Sequence, residues 1–164
     1  MEYTTKINFN HAFQKIVTYY LLESPAKQAS HRGKSLKDRG FEKHLLTKLL
    51  HQMKEVAGED FKKNFSASDN LSGLDKNKNK RAYKGRSHQY CLISNTNARA
   101  EVILKTIRNS LAHGSFITNV NKGETYYLFE NVNKGKFKGR ICVTEKTLLA
   151  WITVIDAGPQ HKNY

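Results

Sequence analysis

The chain has 164 residues, enough for one domain whose hydrophobic core needs no disulfide bonds. Its 28 Lys and Arg against 14 Asp and Glu give a net charge of +14, which favours polyanionic partners, nucleic acid first. The longest apolar run, Leu148 to Ile152, is too short to cross a bilayer, so we expect no membrane segment. The N-terminus lacks a secretory signal, which indicates a cytoplasmic protein in which Cys91 and Cys142 are free, buried thiols.

Two helices are predicted in the first third of the chain. Apolar residues three and four positions apart define the first, with Asn8 or Asn10 as its N-cap. The same spacing resumes after Pro25 and a polar stretch at 28–37, and the second helix ends before Gly58. The expected core positions are Phe9, Phe13, Ile16, Val17, Tyr20 and Leu21, then Phe41, Leu45, Leu49, Met53 and Val56.

Residues 66–89 are rich in Asn, Ser, Gly and Lys and contain few large apolar side chains. This composition predicts an exposed basic loop. The loop has two interpretations, a solvated linker or an RNA-binding segment whose cations contact phosphates while an aromatic ring stacks on a base. In the second interpretation the substrate-binding residues are Lys78, Lys80, Arg81, Tyr83, Lys84 and Arg86.

The second half of the chain predicts a helix, a β-meander and a last helix. The third helix follows Asn95-Thr96-Asn97 and ends at Gly114. From 115 to 143 the apolar period becomes two, which predicts antiparallel strands at 115–120, 125–132 and 138–143 with turns at two copies of Asn-Val-Asn-Lys-Gly. Thr144 caps the fourth helix. The third helix has an apolar stripe at Ala100, Ile103, Leu104, Ile107 and Leu111, and the fourth has one at Leu148, Trp151, Ile152 and Ile155.

No pattern typical of a metal or cofactor site is present in the sequence. His44 and His51 share a helical face but lack a third ligand at suitable spacing. Acidic residues are scattered, which argues against a two-metal nuclease or a glycosidase pair. Gly33-Lys34-Ser35 resembles the end of a P-loop, but Gln28 stands where that motif needs glycine. We therefore expect no cofactor, and any hydrolysis without a metal.

The candidate catalytic residues lie at the end of the third helix, in the segment Arg108-Asn109-Ser110-Leu111-Ala112-His113. This segment resembles the HEPN ribonuclease family, whose nucleases carry Arg, a polar residue, three variable positions and His at a helix end. The resemblance implies a mainly α fold, one HEPN-like helical bundle over 1–164 with the meander at 115–143 inserted before its last helix. It also implies RNA as substrate, metal-independent endonuclease activity and a homodimer.

Helix geometry indicates how the three residues would be used. At 100° per residue Asn109 and His113 are about 40° apart, so Asn109 is placed to orient His113. Arg108 and His113 are about 140° apart, so on one helix the two side chains do not readily point at the same phosphate. Two antiparallel helices in a two-fold dimer would bring the arginine of one chain near the histidine of the other. His113 would act as general acid and base on the ribose 2′-hydroxyl, and Arg108 would hold the phosphate.

The resemblance further implies a biological role. Stand-alone bacterial members of the family serve as toxins or as abortive-infection and antiviral effectors, with a cognate antitoxin or regulatory protein as a possible partner. Three other interpretations remain open. In the first, Arg108 is an ordinary surface residue and His113 a helix cap. In the second, the protein binds RNA without cleaving it. In the third, it is an adaptor or assembly protein without RNA affinity.

Overall fold

A five-stranded mixed sheet organises the protein, with its strands in the order β1-β2-β5-β4-β3. The computed structural model describes residues 10–26, 34–76 and 82–159. The strands are β1 (Phe65–Ser68), β2 (Tyr90–Ser94), β3 (Phe116–Asn121), β4 (Glu124–Asn133) and β5 (Lys136–Thr144). The expectation of a mainly α, HEPN-like bundle is therefore wrong, because the architecture is mixed α/β.

Six α-helices accompany the sheet in these described ranges. They are α1 (His11–Val17), which continues as a π-helical turn (Thr18–Leu22), α2 (His44–Ala57), α3 (Glu59–Lys63), α4 (Leu71–Lys76), α5 (Arg99–Ala112) and α6 (Glu145–Asp156). Two predicted N-caps are present. Asn10 Oδ1 accepts a hydrogen bond from Phe13 N–H at 2.8 Å, and Thr144 Oγ1 accepts one from Thr147 N–H at 3.2 Å. Within these ranges no helix is long and apolar enough to span a bilayer.

Three consecutive antiparallel strands form the meander β3-β4-β5, and they overlap the three predicted strands. Its two turns are Lys122-Gly123 and Lys134-Gly135, and all four residues have φ between 49° and 77°. Positive φ at both central positions is typical of the type I′ turn, which matches the twist of a hairpin. The repeated Asn-Val-Asn-Lys-Gly peptide therefore marks two matching turns.

The other two strands make the sheet larger than the predicted meander. β1 pairs with β2 in parallel, and β2 pairs antiparallel with β5, so the meander forms only three of five strands. Neither strand is predicted from the sequence. The segment 66–89, expected to be an exposed loop, holds most of β1 and all of α4, and the residues after 82 lie against the sheet.

One face of the sheet, here called the first face, packs on the helices. Cys91, Phe129 and Ile141 of this face are fully buried in the same core cluster as the apolar stripe of α5. Buried hydrogen bonds join α6 to α2 and to the π-helical turn. Trp151 Nε1 donates to the Met53 carbonyl oxygen at 2.8 Å, and Tyr20 Oη donates to the Leu148 carbonyl oxygen at 2.5 Å. α5 therefore lies between the sheet on one side and α2 and the π-helical turn on the other, while α3 and α6 also contact the sheet directly.

The opposite, second face carries Tyr90, Leu92 and Cys142, which are also fully buried. Residues 82–89 cover this face through backbone carbonyls that accept hydrogen bonds from it. Tyr90 Oη donates to the carbonyl oxygen of Gly85 at 3.0 Å, Arg140 Nη1 to that of Tyr83 at 3.1 Å, and Asn119 Nδ2 to that of Arg86 at 3.2 Å. Both faces of the sheet are thus covered.

Gln89, only 5% exposed, links three elements through its side chain. Its Nε2 donates to the Ala57 carbonyl oxygen at 2.7 Å and to Asp60 Oδ1 at 3.0 Å. Its Oε1 accepts from Thr147 Oγ1 at 2.6 Å and from Thr144 N–H at 3.1 Å. The amide therefore ties the end of α2 and the start of α6 to β2.

Cys91 and Cys142 are free and buried, as predicted. They lie on adjacent strands, but Cys91 pairs with Ile141 and Cys142 with Tyr90, so the two thiols project from opposite faces of the sheet. Burial raises the pKa of both thiols, that of Cys142 to about 12.

We expect both cysteines to react slowly with thiol reagents in the native protein, because only the thiolate reacts and neither thiol is exposed. The measurement is the rate of thiol labelling with a disulfide reagent at neutral pH. The same protein in denaturant is the control, and there the reagent should release two equivalents of its thiol product per chain, one for each cysteine. Rapid labelling of the native protein at either position would contradict the placement of these strands in the interior.

Candidate active site

The end of α5 is closed by two backbone hydrogen bonds that fix His113. Ser115 N–H donates to the Ser110 carbonyl oxygen at 2.8 Å, and Gly114 N–H donates to the Leu111 carbonyl oxygen at 3.4 Å. With Gly114 at φ +67°, these contacts form a Schellman motif in which His113 is the C-cap. The imidazole is exposed, so it projects into solvent from a backbone position that its own side chain does not maintain.

Arg108 lies one turn earlier, with its guanidinium held by its neighbour. Arg108 Nη1 donates to Asn109 Oδ1 at 3.0 Å, while Arg108 Nε is buried and has no hydrogen-bond partner among the described residues. A buried donor without a partner costs about 1–3 kcal/mol, and more when it is charged. No carboxylate in the described part of the chain pairs with this guanidinium, so the positive charge is free to bind an anion.

Asn109 was predicted to orient His113 from one turn away. In the structure its side-chain oxygen contacts Arg108 instead. Neighbouring positions on a helix usually diverge, so this contact depends on the side chain of Arg108 folding back toward Asn109. The amide therefore positions the arginine rather than the histidine.

The opposite side of α5 anchors these residues in the core. Ile107 is fully buried and Leu111 nearly so. Two buried hydroxyls are satisfied within the helix, since Thr106 Oγ1 donates to the Val102 carbonyl oxygen at 2.8 Å and Ser110 Oγ to that of Thr106 at 2.7 Å. The candidate site thus extends from a rigid support.

Arg108 and His113 line none of three grooves found among the described residues. These grooves have volumes of about 660, 530 and 340 Å³, and Asn109 lines none of them either. The two catalytic candidates are also about 140° apart around the helix axis. On one straight helix the two side chains therefore do not readily reach a single phosphate.

The predicted substrate-binding segment is described in part. Lys78, Lys80 and Arg81 lie outside the described residues. Tyr83, Lys84 and Arg86 lie over the second face of the sheet, where Lys84 and Arg86 are exposed and Tyr83 is half-buried. The candidate catalytic residues belong to α5, which packs on the first face. The sheet therefore lies between α5 and the described members of the segment, Tyr83, Lys84 and Arg86.

Comparison with known proteins adds no assignment. No protein-family model matches the chain, and no curated protein or solved structure is significantly similar to it. Among the described side chains, no three His, Cys, Asp or Glu come together as a group that could hold a metal ion.

A polar groove at the other end of α5 was not identified from the sequence. Asn95-Thr96-Asn97 was interpreted only as the N-terminal cap of the helix. The N-cap residue is in fact Ala98, which has no side-chain capping bond, and Asn95 instead accepts a hydrogen bond from Arg99 Nη2 at 2.7 Å. The unusual density of Asn and Thr before this helix is the signal that could have indicated a binding surface.

Proposed function

We propose that this protein is a metal-independent RNA endonuclease that acts through Arg108 and His113. The observation that carries the proposal is the end of α5, where a guanidinium without an acidic partner in the described residues lies one turn before an exposed, backbone-fixed imidazole. The surplus of fourteen positive charges supports a polyanionic substrate. Imidazole and guanidinium are the groups that phosphodiester transfer needs when no metal takes part.

The chemistry uses the ribose of the substrate as nucleophile. His113 removes the proton of the 2′-hydroxyl, and the freed oxygen attacks the adjacent phosphorus as the bond from phosphorus to the 5′-oxygen breaks. The departing 5′-oxygen takes up a proton from an imidazolium. Arg108 binds the non-bridging oxygens and offsets their growing negative charge. The products are a 2′,3′-cyclic phosphate and a 5′-hydroxyl end.

The catalytic unit in this proposal is a two-fold dimer. The angle between Arg108 and His113 keeps them apart on one helix, and the exposed side of α5 includes Lys105 and Ala112 next to the half-buried Arg108 and Asn109. Antiparallel contact between two α5 ends would place each arginine beside the partner's histidine. A role as a toxin or antiviral effector, held in check by a regulatory protein, is the biological part of the same proposal.

The direct test incubates purified protein with structured RNA in the presence of a chelator and identifies the fragment ends. Cyclic-phosphate ends that disappear in both Arg108→Ala and His113→Ala support the proposal. RNA that is bound but left intact by the wild-type protein would assign a non-catalytic RNA-binding module. Neither binding nor cleavage would assign an adaptor. Both of the last two outcomes overturn the nuclease.

Mixing the two inactive variants should restore part of the cleavage activity. After subunit exchange about half of the dimers are heterodimers, and each has one site with both wild-type residues, so about a quarter of wild-type activity should return. The measurement is the cleavage rate of a mixture of Arg108→Ala and His113→Ala, with each variant alone as control. A mixture that stays inactive despite verified subunit exchange contradicts a site shared between subunits.

A further inference from the structure

Two of the grooves in the described residues meet at Asn95. The first, of about 660 Å³, runs between the start of α2 and the segment that joins β2 to α5. The second, of about 530 Å³, runs between the start of α4 and the start of β5. Asn95 lines both, so the two grooves adjoin at this residue, and together they are here called the Asn95 groove.

The Asn95 groove lies where the two parallel strands end. Ser68 of β1 pairs with Ser94 of β2 at this edge. After Ser94 the chain enters α5, which packs on the first face of the sheet. After Ser68 it enters α4, whose buried Leu71 lies outside that core, while α4 packs on β2 and β5. Parallel strands whose connections leave toward opposite faces open a crevice at their carboxyl ends, the usual ligand position in α/β sheets.

The charged residues that line the groove are almost all positive. Lys43 and Arg99 lie in the first part, Lys136 and Lys138 in the second, and Asp69 is the one acidic residue in either lining. None of the four cations pairs with a carboxylate among the described residues. The Arg99 guanidinium is held by Asn95 at 2.7 Å. The groove therefore presents positive charge that the protein itself does not neutralise.

The remaining lining suits the other parts of a nucleotide chain. Phe137, between the two lysines in the sequence of β5, has a partly exposed ring whose one face lies against the Arg140 guanidinium, 4.8 Å from the ring centroid. Serine, threonine and asparagine side chains between these charges supply neutral hydrogen-bonding groups. A basic track with an aromatic ring is typical of surfaces that bind single-stranded nucleic acid without sequence preference.

We infer that the Asn95 groove binds the phosphodiester backbone of single-stranded RNA, with Lys136, Lys138 and Arg99 as its main phosphate contacts. The identity of the nucleic acid rests on the proposed function. The groove lies at the N-terminal end of α5 and His113 at the C-terminal end, about 20 Å apart for a helix of this length. Substrate is therefore held at one end of the helix and cut at the other.

The test measures binding separately from cleavage, by fluorescence anisotropy of a labelled single-stranded RNA with His113→Ala protein. Lys136→Gln/Lys138→Gln in this background should weaken binding about tenfold. It should also reduce the slope of log K against log salt by about 1.4, because each lost phosphate contact on a single strand removes about 0.7. Arg99→Gln should weaken binding in the same direction, and Asp69→Asn should strengthen it about twofold by removing a repulsive charge.

The matched control is Lys15→Gln/Lys146→Gln, which removes the same charge from exposed positions on α1 and α6. Thermal unfolding of each variant establishes that the fold is retained. The inference is overturned if the groove variants bind RNA as tightly as the control pair does. If the groove variants lose affinity while the protein with an intact His113 cuts no RNA, the groove is supported and the nuclease is overturned. The two failures are therefore distinguishable.

Discussion

Replacing His113 by alanine is expected to lower the RNA cleavage rate by about 10²- to 10⁴-fold, the usual contribution of a positioned general acid–base residue. RNA affinity should change little, since the Asn95 groove lies at the far end of α5. The fold should also be retained, because the Schellman motif that ends α5 uses backbone groups alone. The measurement is the single-turnover cleavage rate at saturating protein, with anisotropy on the same RNA.

His51→Ala is the matched control for this variant. His51 is another exposed helical histidine, with 76% of its side chain accessible, and it lies on α2 far along the chain from the candidate site. Its loss should leave cleavage unchanged. Induced expression in a bacterial host gives a second readout, in which the wild type and His51→Ala stop growth and His113→Ala does not. Equal cleavage by the His113 and His51 variants would remove His113 from the mechanism.

Gln89→Ala is expected to lower the free energy of unfolding by about 3 kcal/mol or more. The change leaves the Ala57 carbonyl without its donor, and the Thr144 amide and the Thr147 hydroxyl without their acceptor. Each buried polar group that loses its partner costs about 1–3 kcal/mol. Urea denaturation followed by circular dichroism measures the difference.

Ser87→Ala serves as the control for this substitution, because Ser87 is exposed and lies only two residues away. Its midpoint in urea should equal that of the wild type. Gln89→Glu should also be destabilising, since a carboxylate cannot donate to the Ala57 carbonyl and would face Asp60. Variants of Gln89 as stable as Ser87→Ala would argue that this side chain does not join α2, β2 and α6.

Four of the six described α-helices, α1, α2, α5 and α6, were predictable because their signal is local, although Val56 of α2, expected in the core, is 44% exposed. All five stripe residues of α5 and all four of α6 are buried as predicted. A period of 3.6 residues places these side chains on one face whatever packs against them. The two hairpin turns were predictable for the same reason, since Lys-Gly at both tips supplies the left-handed backbone that such turns need.

The sheet was underestimated because two of its strands carry no readable period. Residues Tyr90 to Ile93 are buried on both faces, so β2 shows no alternation. β1 is a short, half-buried strand of mixed polarity inside a polar segment. Phe65 pairs with Cys91 and Cys91 with Ile141, contacts between distant parts of the chain that local composition does not encode. The polar segment was therefore interpreted as a loop.

The candidate site also combines local features that the sequence shows with contacts that form only in the folded chain. Arg108 and His113 stand out from the sequence because both lie in one short segment of one helix. The Arg108–Asn109 contact does not, because it depends on which way a long side chain folds. The Asn95 groove was also not readable, since it combines the ends of α2, β1, β2 and β5, which meet only in the folded chain.

If RNA is bound in the Asn95 groove and cleaved at His113, as proposed, the length of α5 sets the distance between the two sites. Fourteen helical residues advance about 20 Å, and the helix is buried along its inner side, so this spacing is rigid. Oligonucleotides too short to bridge it would be poor substrates however well they fit either end. Breakage should occur at a set interval from the gripped nucleotides rather than at a preferred base.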